Sequence, residues 1–192
     1  MDNNFYDYEY VFPFLENLKK NSEKIRNEVN IYDKEWLDWP ERDLYLHLTD
    51  WKIIPFYGFN KWANSYCERF PETVNLLKNI PGLKTAIISC LGPKTILKPH
   101  QGWGKLANNV LRCHLGLKVP ENCGIWVNGE KREQKENEWL VFDDSKKHSG
   151  FNLSETKRIV LLIDIERPDY IKKGISKIEE TDELEIFLKN FE

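Results

Sequence analysis

The sequence lacks the features that commit a chain to a membrane, a nucleic acid or a disulfide framework. Nowhere does an apolar run approach the ~20 residues that a bilayer-spanning helix needs. The opening Met1-Asp2-Asn3-Asn4-Phe5 carries no basic stretch leading into an apolar one, so no secretory leader is expected and the reading is of a soluble, cytoplasmic protein. Basic residues are not in excess: 28 Lys and Arg stand against 31 Asp and Glu, for a net charge of −3. With no cationic surplus to neutralise phosphates, nucleic acid is not an expected partner. The four cysteines, Cys67, Cys90, Cys113 and Cys123, match no zinc or redox spacing and sit among apolar neighbours, so they are expected as free, unreactive, buried thiols. Repeats, low-complexity tracts and linkers are missing too. The 192 residues, 41% hydrophobic and 13% aromatic, are therefore expected to form one domain with a substantial core.

What is present changes character along the chain. Residues 1–82 read as a helical and irregular covering region. Within it Phe14, Leu15, Leu18, Ile25 and Val29 follow Pro13 at near-helical spacing. A second helical stretch is expected from about Asn60 through Trp62, Ala63 and Tyr66, interrupted near Pro71 and resuming with Val74, Leu77 and Ile80 until Pro81-Gly82. Residues 83–168 turn to short β-rich runs: T-A-I-I-S-C-L, V-L-R-C-H-L-G-L-K-V, C-G-I-W-V, E-W-L-V-F and R-I-V-L-L-I-D-I. Asn128-Gly129 signals a two-residue hairpin, since both residues tolerate positive φ. Strands without alternating helices point to a mainly β sandwich or small barrel with flanking helices. Residues 169–192 are expected to end in a helix with Leu184, Phe187 and Leu188 as its apolar stripe.

Histidine is scarce, and its distribution carries the chemistry. Of four histidines, His100, His114 and His148 fall in the β-rich part and only His47 lies outside it. In Leu111-Arg112-Cys113-His114-Leu115-Gly116-Leu117, strand alternation puts Arg112 and His114 on one face and the apolar residues on the other. In a barrel clad by helices that polar face is an interior pocket. Arg158 opens the last run with Val160 and Leu162 on its face, and an arginine there needs an anion because an unpaired buried charge is costly. The common non-haem iron pattern places Asp or Glu two residues after the first histidine, and that position here is Gly102. Spacing leaves two readings open. Two histidines with free positions suit iron that binds an oxoacid and dioxygen, whereas His114 as a third ligand suits a cupin-like metalloenzyme that uses no oxoacid. A β-barrel binding module without catalysis is the non-enzymatic alternative.

K-P-H-Q-G at 98–102, R-C-H-L-G-L-K-V-P at 112–120, F-D-D-S-K-K-H at 142–148, and Arg158 followed by I-D-I-E-R-P occur together in this order. From Trp51 to Pro168 the chain thereby resembles the catalytic domain of the aspartyl/asparaginyl β-hydroxylases. The resemblance implies a double-stranded β-helix of the jelly-roll or cupin type, with Fe(II) on His100 and His148 and no carboxylate ligand. It implies 2-oxoglutarate as cosubstrate, with Arg158 on its distal carboxylate, assisted by Ser89, Arg112 and His114 and lined by Trp51. Dioxygen would be the second cosubstrate. The substrate would be a free or carrier-bound amino acid, a peptidyl side chain or a lipid acyl chain, with a small amino-acid-like molecule favoured. Asp144 is then a candidate for holding a metal-bound water, set against a purely local turn role for Asp143-Asp144-Ser145. Trp103 lies in Q-G-W-G-K-L-A-N-N-V, a segment longer than in better-known members and placed where loops set specificity.

Overall fold

Strand alternation builds two sheets and decides which face of each is polar. In the computed structural model, which describes residues 1–47, 49–183 and 189, the strands in chain order are β1 (Phe5–Tyr6), β2 (Leu37–Asp38), β3 (Trp51–Gly58), β4 (Lys61–Trp62), β5 (Leu83–Leu91), β6 (Thr95–Ile96), β7 (Val110–Lys118), β8 (Cys123–Val127), β9 (Glu130–Glu133), β10 (Trp139–Phe142), β11 (His148–Asn152) and β12 (Arg158–Glu166). The larger sheet runs β1-β10-β7-β12-β5-β3-β2 with β4 on β3, and the smaller runs β6-β11-β8-β9. All pairings are antiparallel. This is a double-stranded β-helix, mainly β with flanking helices.

The helices are α1 (Tyr8–Val11), α2 (Glu16–Lys20), α3 (Ser22–Ile31), α4 (Asn64–Cys67), α5 (Pro71–Leu77) and α6 (Gly104–Ala107). Most of them pack on the outer face of the larger sheet. There Leu111, Cys113, Leu115 and Leu117 of β7 and Leu161 and Ile163 of β12 meet Leu15, Leu18, Ile25, Val74 and Leu77 in one buried cluster. The buried Glu28 of α3 ties two of these helices together by accepting from the Glu72 and Thr73 amides, which Pro71 leaves as the free first-turn donors of α5. Because side chains alternate, the odd-numbered residues of β7 feed this core while Arg112 and His114 face the smaller sheet. Register completes the interior: β12 sets Asp164 beside Arg112 and Leu162 beside His114, and β5 sets Ser89 beside Ile53 of β3.

The five expected strand runs form β5, β7, β8, β10 and β12, and the Asn128-Gly129 hairpin joins β8 to β9 with φ of 45° and 95°. The covering region differs from expectation. Residues 51–58 are a central strand, buried along most of its length, which gives no period-two signal. Its Pro55 sits at a register shift, where a missing ladder donor is tolerated. Asn60 belongs to a positive-φ turn and Trp62 to β4, so the second helical stretch starts only at Asn64. Residues 169–181 form a strap without helix, because its backbone groups bond Asn108 and Ser145 instead of one another. The stripe of Leu184, Phe187 and Leu188 lies outside the described residues. Cys90, Cys113 and Cys123 are buried and Cys67 half-buried; burial pushes the Cys67 and Cys90 thiols up to about 11, which keeps them unreactive. Among the described residues no helix is long and apolar enough to cross a membrane.

Candidate active site

Between the sheets lies a cavity of about 350 Å³ including its open mouth, lined by Trp51, Ser89, Arg112, His114, His148 and Arg158 among others, and by His100. Its two ends differ in chemistry.

At one end are His100 and His148. Their backbones exchange hydrogen bonds of 2.9 and 2.8 Å, and this bridge sets the two rings 4.3 Å apart. Each Nδ1 faces a carbonyl, that of Lys98 at 2.8 Å and that of Lys146 at 2.9 Å. A carbonyl only accepts, so Nδ1 carries the proton and Nε2 presents its lone pair. Burial lowers the His100 pKa to about 3, with His148 adding to the effect, and lowers that of His148 to about 4, with Arg112 adding to it. Both rings are therefore neutral ligands at physiological pH.

Asp144, 1% exposed, places Oδ1 3.2 Å from His148 Nε2. Burial raises this carboxyl to about 6 despite the opposing Arg112 charge. Although Oδ1 lies 2.5 Å from Arg112 Nη1, neither carboxylate oxygen accepts a well-directed hydrogen bond. Two lone pairs thus face each other in a buried space, an arrangement relieved by a cation or a cation-bound water between them. Two neutral imidazoles beside a carboxylate with free lone pairs fit a divalent transition metal that keeps open positions. Gly102 shows why no carboxylate follows His100: a Cβ there would lie 1.9 Å from Asp144 Oδ2 and 2.9 Å from the Ala107 Cβ. Asp144 fills that space from the other side.

The opposite end is built of donors. Arg158 is 1% exposed and has no carboxylate partner among the described residues; Glu155 pairs with Lys94 and Glu166 with Lys84 instead. Burial lowers its pKa to about 10, which leaves it charged. Its Nη2 donates to His114 Nδ1 at 3.2 Å, so His114 carries its proton on Nε2, and that N–H has no partner among the described residues. Arg158 Nε is likewise unpartnered. Trp51 Nε1 donates to Ser89 Oγ at 3.0 Å, which leaves the Ser89 hydroxyl proton free to point elsewhere. Guanidinium, imidazole N–H and hydroxyl form a cluster that matches a carboxylate.

The fold therefore sets seven of the eight expected site residues around one cavity, in two groups, and places the eighth, Asp144, behind its metal end against Arg112 and His148. Arg112 differs from its expected part. Its Nε and Nη2 donate to Asp164 at 2.8 and 2.9 Å and Nη1 meets Asp144, so it reaches the pocket already matched in charge. Asp164 was missed as a site residue, although alternation from Leu162 places it on the inner face. The Asp143-Asp144-Ser145 cluster divides: Asp143 takes the local role, accepting from Ser145 N and Oγ and from Arg167, while Asp144 meets Arg112 and His148. Trp103 does not line the cavity. It stacks on Trp39 at 6.2 Å, which stacks on Trp51 at 4.5 Å, so the longer loop buttresses the pocket wall.

Three comparisons bear on this geometry. The family model described as aspartyl/asparaginyl beta-hydroxylase matches residues 19–168. The chain is 31% identical over 168 residues to the ornithine lipid ester-linked acyl 2-hydroxylase of Rhizobium tropici, covering 82% of this chain and 59% of that protein. It is 29% identical over 163 residues to the aspartyl/asparaginyl beta-hydroxylase of Homo sapiens, covering 81% of this chain and 21% of that protein. The chain thus spans less than two thirds of either relative. A crystal structure of an oxidoreductase of the 2OG-Fe(II) oxygenase family from Burkholderia pseudomallei superposes with a TM-score of 0.54 at 9% identity, covering 81% of each chain, which agrees with the fold.

Proposed function

Because the chain belongs to the aspartyl/asparaginyl β-hydroxylase family, we propose that it is an Fe(II)- and 2-oxoglutarate-dependent hydroxylase, with His100 and His148 holding the iron and Arg158, His114 and Ser89 holding the cosubstrate. One observation carries this reading: a single cavity joins two proton-free imidazole nitrogens at one end to an unpaired buried arginine at the other. That polarity suits a ligand with a metal-binding head and a carboxylate tail. Once bound, iron, 2-oxoglutarate and dioxygen supply the oxidising chemistry, 2-oxoglutarate leaving as succinate and carbon dioxide.

The chain's own residues bind, orient and shield. Arg158 offers a planar fork that a carboxylate matches bidentately, and His114, turned by its bond to Arg158, adds an N–H. Trp51 fixes Ser89 and closes the wall beside His100, the rings 6.2 Å apart. Arg112 and Asp164 hold Asp144 against the metal end. The three-histidine alternative requires a proton-free nitrogen of His114 toward His100 and His148, whereas its Nδ1 accepts from Arg158 and its Nε2 carries the proton.

Substrates in this reading are small amino-acid-like molecules, peptidyl side chains or lipid acyl chains, the last in keeping with the name of the Rhizobium relative. Titration of 2-oxoglutarate into anaerobic, iron-loaded protein tests the site. A saturable metal-to-ligand absorption band, and succinate released only when dioxygen is admitted, are expected. Absence of both refutes the hydroxylase reading. A cupin-like enzyme would bind metal without the band.

A further inference from the structure

The strap of residues 169–181 lies beyond the family match, which ends at residue 168, and its contacts converge on the metal end of the cavity. Hydrogen bonds, not apolar burial, hold its central part: Ile175 is 60% and Ile178 43% exposed, while Ser176 is buried. Ser176 Oγ donates to the Gly102 carbonyl at 2.5 Å. Its backbone closes a ring with the Asn108 side chain, N to Oδ1 at 2.7 Å and Nδ2 to O at 2.9 Å. Gly174 N donates to Asn108 O and Ile175 N to Ser145 Oγ, at 2.9 and 3.0 Å. The strap thus grips residues on both sides of Asp144: Gly102, whose bare Cα the carboxylate covers and whose amide bonds Asp144 O at 2.9 Å, and the adjoining Ser145.

We propose that Ser176 is a positioning residue for the metal site, fixing through Gly102 the place from which Asp144 faces His148. Ile171 anchors the start of the strap in the core, but a central part that merely covered the surface would bury Ile175 and Ile178 and leave Ser176 exposed; there the pattern is the reverse. Gly174 has the same logic, since a Cβ there would lie 2.5 Å from Ser145 Oγ and 2.6 Å from the Asn108 Cα, preventing so close an approach.

The inference rests on the two-histidine metal reading, and cobalt(II) separates the two. Titrated with cobalt(II) alone, the wild-type full chain should give a saturable visible band whose shape reports coordination geometry. Ser176→Ala should change that shape and weaken cobalt(II) binding about three- to tenfold, at or below the low end of what direct outer-shell partners of metal ligands show. Ser176→Thr, which keeps the hydroxyl, should restore both, and Ile178→Ser, which alters an exposed side chain only, should change neither. Should Ser176→Ala not fold by circular dichroism, Asn108→Ala releases the same strap from its other partner and is read in the same way. A wild-type band and affinity in the releasing variant, whatever its thermal midpoint, would overturn the positioning role alone. A wild-type chain that binds no cobalt(II) would overturn the metal reading and this inference with it.

Discussion

Two arginines line the same cavity, and they stand in opposite conditions. Arg112 has two carboxylates of its own chain, Asp164 in a two-pronged bond and Asp144 beside it. Burial works against its charge, but these carboxylates outweigh burial and raise its pKa above the ordinary value. Among the described residues Arg158 has a neutral imidazole and two thiols beside it, and burial outweighs the thiols and lowers its pKa. A buried cation matched within the chain is part of the scaffold. A buried cation left unmatched costs stability until a ligand brings the counter-charge. The contrast separates residues that build the pocket from residues that await its occupant, although the residue type is the same.

The largest effect should fall on the metal end. His100→Ala or His148→Ala should abolish iron binding with the fold retained, since an open site of two ligands does not hold the sheets together. Metal content after iron loading, with circular dichroism alongside, measures it, and full iron occupancy in either variant would refute the assignment.

The two arginines should then part company. Arg112→Ala strands the buried Asp164 and Asp144 and should cost about 3–5 kcal/mol in urea unfolding. Arg158→Met should leave the ligand-free protein as stable as wild type or more so, yet lower 2-oxoglutarate affinity by about 3–5 kcal/mol, roughly a hundredfold to several thousand-fold, because the cosubstrate carboxylate loses its partner. Equal stability losses in both variants would erase the distinction drawn here.

Acid should reveal the same division. His100, His114 and His148 are held neutral by burial when folded, so as pH falls below about 6.5 the unfolded chain takes up protons that the folded chain refuses, and stability drops. Asp144 acts in the other sense: raised to about 6, it takes a proton on folding between about pH 6 and 4. The metal-free protein should therefore lose roughly 2.7 kcal/mol per pH unit near pH 5, a net of about two protons, and Asp144→Asn should steepen that slope. Unfolding midpoints across pH 4–7 check the sign. A flat profile would mean that the histidines are charged when folded.

The smallest change is Arg158→Lys. It keeps the charge and loses the fork, and should weaken 2-oxoglutarate about tenfold to a hundredfold, the loss of one charge-assisted hydrogen bond of about 1.5–3 kcal/mol, with iron binding unaltered.

Much of this arrangement was legible in the sequence because alternation is strict. Arg112 and His114 on one face, Arg158 with Leu162, and the Asn128-Gly129 turn all follow from a period of two and from residues that accept positive φ. What stayed hidden has physical causes. Trp51–Gly58 is buried on both faces and interrupted by Pro55, so neither alternation nor composition marks it as a strand. The His148–Asn152 strand is made of His, Ser, Gly, Phe and Asn, and owes its state to pairing with β8 and β6. Which of two adjacent aspartates meets Arg112 and His148 depends on Arg167, whose guanidinium takes Asp143 and leaves Asp144 to turn inward. No spacing rule gives that.

The contact between Gly102 and Asp144 also constrains the order in which this site can change by mutation. A carboxylate at residue 102, the usual place for one, cannot be added while Asp144 occupies the same volume, because even a methyl group there lies 1.9 Å from its Oδ2. Gly102→Asp is thus harmful while Asp144 stays, and is relieved once residue 144 has become small, with only the Ala107 Cβ at 2.9 Å left to give way, so the two substitutions are strongly epistatic. A lineage moving its buried aspartate from residue 144 to residue 102 must therefore lose the first before it gains the second.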